Sequence, residues 1–332
     1  MALPDNPDPV VIACAADDRY VQPLAVMLRS ALANLSPVWT AAIHLLDGGI
    51  DPENRRRLAE SLPPGRASLH WVATDTSRFS GLPLWGRMPV ATYYKLLVPD
   101  LLPAEVQRAV WLDCDVVVLG DLARLWRVDG AGRHVLAVQD QIVPRVSSRN
   151  GVAGYRELGI APDAKYFNAG VMVMDLALWR RDDVAGRVAE HLRRWRDEVV
   201  FWDQEGMNAV LAGAWGELDP RWNRNPSIRA GRFRRHSGST GSQEAVDDSW
   251  IVHFTGNLKP WVYHGRDPFH TCYFRYLDQT AWAGWRPAPT IAGAAIALYE
   301  ASGLRDLLYP AEARVIQLLR AVTRRYASEP AG

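Results

Sequence analysis

Apolar positions in the first half of the chain change rhythm repeatedly, from short unbroken runs to helical spacing and back. "PVVIACAADD" is a brief apolar run ending in acid, the pattern of a strand covered on both faces. In "VQPLAVMLRSALANL", Leu24, Met27, Leu28, Ala31, Leu32 and Leu35 recur at helical spacing and predict a helix. "TAAIHLLDGG" predicts a second strand. "DPENRRRLAESLPPG" predicts a helix with Asp51 as cap, Pro52 at the first position and Pro-Pro-Gly as stop. "ASLHWVAT" predicts a third strand, "MPVATYYKLLVPDLLP" a helical segment and "RAVWLDCDVVV" a fourth strand. A short helix over "GDLARLW", strands over "HVLAVQD" and "YFNAGVMVMDL", and helices over "LALWRRDDVAGRVAEHLRRWRDEVV" and "DQEGMNAVLAG" follow. Strands alternating with helices imply crossover connections, a largely parallel sheet and the α/β class.

Such sheets bind ligands at the carboxyl ends of their strands. The acids fall there: Asp17 and Asp18 after strand one, Asp113 and Asp115 at strand four, Asp140 after strand five. In "WLDCDVVVLGDL", two acids interrupt an apolar run. If strand geometry persists, alternate side chains share a face and the two carboxylates point together. They repel unless a cation joins them, and a hard divalent ion bound through oxygen does so. A solvated surface turn is the alternative reading, and the apolar flanks count against it.

Composition narrows the choice. The chain has 332 residues, 48% hydrophobic and 23% charged, which is ample for a large core. A net charge of +1 offers no global attraction for nucleic acid. Three cysteines, far apart and without a CxxC, do not make a disulfide framework. The N-terminus carries no basic-then-apolar signal, and no run reaches the length of about 18 apolar residues that a membrane span needs, so neither an export signal nor a span is expected; the sparse cysteines point to a reducing cytoplasm, with peripheral contact at the inner membrane face left open. The N-terminal half contains no G-x-G-x-x-G or Walker motif, which counts against dinucleotide and P-loop enzymes. Residues 229–249 are basic, Ser/Gly-rich and unpatterned, and read as a mobile surface loop. The fourteen tryptophans read mostly as core filler, although sugar-binding surfaces also use indole faces.

Seven stretches occur in a fixed order: "AADDRY", "ATYYKL", "WLDCDVVVLGDL", "YFNAGVMVMDLALWR", "FWDQEGMN", "LDPRWNRNP" and "IVHFTGNLKPW". Together, over residues 10–285, they resemble glycosyltransferase family 8. The resemblance implies a GT-A fold, with a Rossmann-like, mostly parallel central sheet flanked by helices. It implies a catalytic domain at 8–285, followed by an aromatic-rich helical C-terminal extension at 286–332. It further implies a UDP-sugar donor, UDP-glucose or UDP-galactose, a saccharide or lipid-linked acceptor, Mn²⁺ or Mg²⁺ as cofactor, and retention of anomeric configuration.

The same resemblance assigns residues. Asp113, Asp115 and His253 are the implied metal ligands; the alternative for His253 is a satisfied core histidine. Lys259 is placed at the diphosphate, with Gly256 permitting close backbone approach. The nucleotide pocket draws on Ala15, Asp17, Tyr20, Lys95 and Cys114: Asp17 for the uracil N–H, Tyr20 for the ring or for helix packing. Arg19 stands where some relatives carry Asn, and Lys95 where many carry Arg. The sugar pocket draws on Asp140, Asn168, Ala169, Asp203 and Gln204, with "YFNAG" leaving room for a ring. Asp203 and Gln204 are the catalytic candidates, steadying an oxocarbenium-like centre or supplying a nucleophile. Asp203 also reads as the N-cap of its helix.

Two rivals stay open: a nucleotidyltransferase, which would need a glycine-rich basic loop that "ACAADDRY" lacks, and a sugar-nucleotide-binding protein without transfer. The final "AEARVIQLLRAVTRRYASEP" reads as a packing helix or as a basic amphipathic helix touching an anionic membrane.

Overall fold

The chain runs from strand β1 (Val10–Ala16) into helix α1 (Val21–Asn34), then through β2 (Ala41–Asp47), α2 (Pro52–Glu60) and β3 (Ala67–Ala73). A 3-10 segment (Val90–Leu97) leads into α3 (Val98–Leu101), β4 (Arg108–Leu112), β5 (Val116–Val118), α4 (Leu122–Trp126) and β6 (Val135–Gln139). Next come β7 (Phe167–Asp175), α5 (Leu176–Arg181), α6 (Val184–Arg194), α7 (Trp202–Val210), β8 (Trp215–Glu217) and β9 (Ile251–His253). This computed structural model describes residues 7–75, 77–79, 81–83, 90–226, 242–255, 259–262 and 268–290. Gly256, residues 229–241 of the expected loop, and residues 291–332 of the expected extension, with its terminal basic helix, lie outside the described residues. Among the described residues, no helix is long and apolar enough to cross a membrane.

Seven strands make one sheet in the order β3-β2-β1-β4-β7-β6-β8. β1 pairs in parallel with β2 and β4, and β2 with β3. β7 runs antiparallel to both its neighbours, while β6 and β8 are parallel. The unbroken apolar run of β1 is explained by cores on both faces. Ile12, Cys14 and Ala16 join Leu24 and Leu28 of α1 on one side. Ala13 and Ala15 join Tyr93, Trp111, Met172, Leu192 and Met207 on the other. Leu28 is fully buried, so its truncation to alanine costs about 2–5 kcal/mol. Helix α2 starts as its sequence dictates, with Asp51 accepting from the Asn54 N–H at 2.8 Å and Pro52 at the head.

Two expectations are corrected, and one strand is added. "VWLDCDVVV" is not one strand: β4 ends at Leu112, the chain turns, and β5 leaves the sheet to pair antiparallel with β9. The cause is a change of partner. The Asp113 N–H still reaches the Gly170 carbonyl of β7 at 2.9 Å, but Asp115 offers its carbonyl to Phe254 N–H. Within the presumed loop, Ser242–Asp247 is helical, and Val246 from it is buried in the core. β8, too short to carry a pattern, went unpredicted.

The antiparallel course of β7 matters for the site. Its first residues, Phe167 and Asn168, lie at the same edge as the carboxyl ends of β1, β4 and β6. Asp140, just past β6, and Asn168 are therefore neighbours.

Candidate active site

The turn after β4 and the end of β9 bring three ligand-bearing side chains together. Asp113, Asp115 and His253 each offer a ligand atom, and these atoms lie within 4.8 Å of one another. The two aspartates converge through a turn, not through strand pleating as the sequence suggested. Asp115 Oδ1 is 3.2 Å from His253 Nε2, and its other oxygen meets the Lys259 ammonium. Burial pushes the Asp115 carboxyl up, but Lys259 and His253 outweigh it and hold Asp115 well below the usual carboxylate range. His253 is fixed on its far side by Asn223 Oδ1, 2.9 Å from Nδ1. Gly170 backs onto the same ring, because a side chain there would overlap the imidazole.

Asp113 is oriented by Trp111, whose indole N–H donates to Oδ1 at 2.7 Å. The Lys95 ammonium lies 3.2 Å from the same oxygen and 2.9 Å from Asp203 Oδ2, and donates to the Ala169 carbonyl at 3.3 Å. Lys95 and Asp203 are only 6% and 5% exposed, so each needs the other. Burial pulls the Lys95 pKa down, yet Asp113 and Asp203 raise it above the ordinary lysine value. Burial raises Asp203, with Lys95 opposing and Asp113 adding to the rise. Asp203 is not the cap of α7: the N-cap is Phe201, without a side-chain bond, and Asp203 is buried in the first turn of the helix.

Beyond Asp203 lies a polar wall. Asp140 Oδ2 accepts from Asn168 Nδ2 at 2.8 Å and Gln204 Nε2 at 3.2 Å, and Oδ1 accepts from the Ile142 and Val143 N–H groups. Gln204 Oε1 accepts from the Ala169 N–H at 3.0 Å. Asp140, Asn168, Ala169 and Gln204 thus form one connected set, and Lys95 joins Asp203 to it through the Ala169 carbonyl.

On the β1 side, the Cys114 thiol donates to the Ala15 carbonyl at 2.9 Å. Burial, then the flanking aspartates, lift that thiol well above its ordinary value. Tyr20 meets Trp261 edge-on, with ring centroids 6.0 Å apart. Asp17 accepts from the Arg19 and Tyr20 N–H groups and from the Arg19 guanidinium at 3.0 and 2.7 Å. Its carboxylate is therefore covered by Arg19.

Sequence reasoning missed Asn223, Gly170, Trp111 and Glu205. Asn223 sits in "LDPRWNRNP" and Gly170 in "YFNAG"; the smallness of Gly170 makes room for the His253 ring. Glu205 is fully buried beneath the site, where it accepts from Ala153, Val200 and Phe201 N–H groups.

Charge decides what the cluster can hold. Three carboxylates, Asp113, Asp115 and Asp203, face two ammonium groups, Lys95 and Lys259. The carboxylates outnumber the ammonium groups by one in a partly buried corner, which favours a cation. Two carboxylate oxygens and an imidazole nitrogen fit Mn²⁺ well and Mg²⁺ less well.

The sequence pattern described as Glycosyl transferase family 8 matches residues 11–265. General stress protein A of Bacillus subtilis is 31% identical over 288 residues, spanning 82% of this chain and 94% of that protein. The lipopolysaccharide 1,2-glucosyltransferase of Escherichia coli is 25% identical over 274 residues, spanning 82% of this chain and 78% of its own. The crystal structure of the galactosyltransferase LgtC with donor and acceptor sugar analogs superposes with a TM-score of 0.67 at 27% identity, covering 86% of this chain and 99% of that one. The mixed, mostly parallel sheet with flanking helices is the GT-A fold.

Proposed function

Because the chain belongs to glycosyl transferase family 8, we propose that it moves a hexose from UDP-glucose or UDP-galactose to a hydroxyl of a saccharide or glycolipid acceptor, with retention of configuration. The observation that carries this reading is the convergence of Asp113, Asp115 and His253, distant along the chain, into one cluster with ligand atoms within 4.8 Å. Similarity to a glucosyltransferase and to a galactosyltransferase supports a hexose donor.

In this reading the three side chains hold Mn²⁺ or Mg²⁺. A dication supplies charge stabilisation to the departing diphosphate when bound. Lys259 leaves its pairing with Asp115 to meet phosphate oxygens as a point charge. Tyr20 and Trp261 supply an aromatic wall for the uracil. Asp140, Asn168, Ala169 and Gln204 orient the hexose hydroxyls with groups already fixed by mutual hydrogen bonds. Asp203, pinned by Lys95, presents negative charge near the anomeric carbon and steadies positive charge as the glycosidic bond lengthens. The acceptor proton passes to the leaving phosphate oxygen on the same face, which requires no side-chain base.

Thermal shift with UDP plus Mn²⁺, followed by UDP release across a panel of UDP-sugars, tests the reading. Stabilisation by ligand, lost in Asp115→Ala, and UDP release from a UDP-hexose are expected. Stabilisation without UDP release from any sugar nucleotide would identify a binder instead of an enzyme.

A further inference from the structure

Two side chains, Asn168 and Asn223, join His253 to Asp140 in an unbroken line. Asp140 Oδ2 accepts from Asn168 Nδ2 at 2.8 Å, Asn168 Oδ1 accepts from Asn223 Nδ2 at 2.9 Å, and Asn223 Oδ1 lies 2.9 Å from His253 Nδ1. This line has a direction. An ionised carboxylate only accepts, and Asp140 already takes three further donors, from Ile142, Val143 and Gln204. Asn168 must turn its amide NH₂ toward Asp140 and its carbonyl away. That carbonyl also takes the Gly170 backbone N–H at 3.0 Å, which fixes its orientation a second time. Asn223 gives its NH₂ to Asn168 and has only its carbonyl left for His253. A carbonyl only accepts, so Nδ1 carries a proton toward Asn223, and Nε2 is the nitrogen aimed at Asp115.

Asn223 is 4% exposed, and both ends of its side chain serve site residues. A residue that merely braced its own turn, Pro220–Asn223, would bond its own backbone.

We propose that Asn223 is a positioning residue that keeps His253 in the form presenting Nε2 to a dication and, through Asn168, ties that ligand to the Asp140–Gln204 wall facing the sugar. The proposal rests on the metal-dependent reading above. It makes the metal end and the sugar end of the site mechanically one unit.

The test is Mn²⁺ affinity of the full chain in the presence of UDP, read from the electron paramagnetic resonance of free Mn²⁺, alongside UDP-hexose turnover and thermal unfolding. Asn223→Leu removes both contacts and is expected to weaken Mn²⁺ binding by about 10–100-fold. Asn223→Asp keeps an acceptor for Nδ1–H but opposes Asn168 Oδ1 with a second oxygen. It is expected to keep wild-type Mn²⁺ affinity while losing kcat/KM for the UDP-hexose, and this split holds the proposal open to test even if the leucine variant does not fold. Unchanged Mn²⁺ affinity in Asn223→Leu, or parallel losses of metal binding and turnover in Asn223→Asp that track its Tm, would overturn the proposal alone. A wild-type chain that binds no Mn²⁺ would overturn the metal-dependent reading as well.

Discussion

Gly170 and the His253 imidazole share one space: a Cβ on Gly170 would fall 2.1 Å from Cε1 of the ring. No rotamer of alanine avoids that overlap, and the Gly170 backbone is held by Asp113 N–H at its carbonyl. Gly170→Ala is expected to displace His253, weaken Mn²⁺ binding about 10-fold or more and cost about 1–3 kcal/mol of stability. Calorimetric Mn²⁺ titration checks this; wild-type affinity in the variant would show that the ring can move aside.

Lys95 is the only ammonium contacting both Asp113 and Asp203 among the described ion pairs. Lys95→Met leaves two carboxylates opposed in a desolvated corner. A loss of about 3–5 kcal/mol is expected in urea denaturation. Lys95→Arg keeps the charge and should lose less, and equal losses for the two variants would mean that shape outweighs charge there.

Glu205 gives the fold a pH dependence of known sign. Burial lifts its carboxyl from 4.5 to about 7, against three backbone donors that act the other way. The folded chain then holds this proton more tightly than the unfolded chain. Its contribution to stability falls as pH rises from about 4.5 to about 7 and is level above, a drop on the order of 3 kcal/mol. Denaturation of the wild type at pH 5 and pH 8 should show that slope, and Glu205→Gln should lack it while being less stable at pH 5. The same slope in both proteins would assign it to another group.

Asp51→Ala serves as a control remote from the cluster. Loss of its bond to the Asn54 N–H should cost about 1 kcal/mol in thermal or chemical unfolding. UDP release should be unchanged. A matching loss of turnover would show that α2 communicates with the site through Asp18, which accepts from the Asp51 N–H.

Elements whose burial is set locally were legible. β1, α1 and α2 follow from run length, helical spacing and the Asp51–Pro52 start, since each pattern reports the faces its own residues cover. The convergence of Asp113, Asp115 and His253 came from resemblance; composition and spacing offered only the acidic pair. Asn223 and Gly170 were illegible because their work is done across the fold, one on a ring 30 residues away and the other by lacking a side chain. The alternative reading of Asp203 as a cap fails for a related reason: an acid near a helix start reads as a cap until its buried partner, Lys95, is seen. The break between β4 and β5 was hidden because the apolar runs on both sides of Asp113–Asp115 are good strand formers, and only the change of partner from β7 to β9 reveals it.

Asp140 and Asn168 stand at the two feet of the long excursion between β6 and β7, and the hydrogen bond between them closes its base. Above that clasp the excursion packs on its own small apolar cluster of Val143, Val146, Val152 and Tyr166. Relatives could therefore lengthen, shorten or rewrite this stretch as a replaceable cassette while the chemistry beneath stays in register. Insertions there would be absorbed above the clasp, leaving the paired side chains at its foot undisturbed.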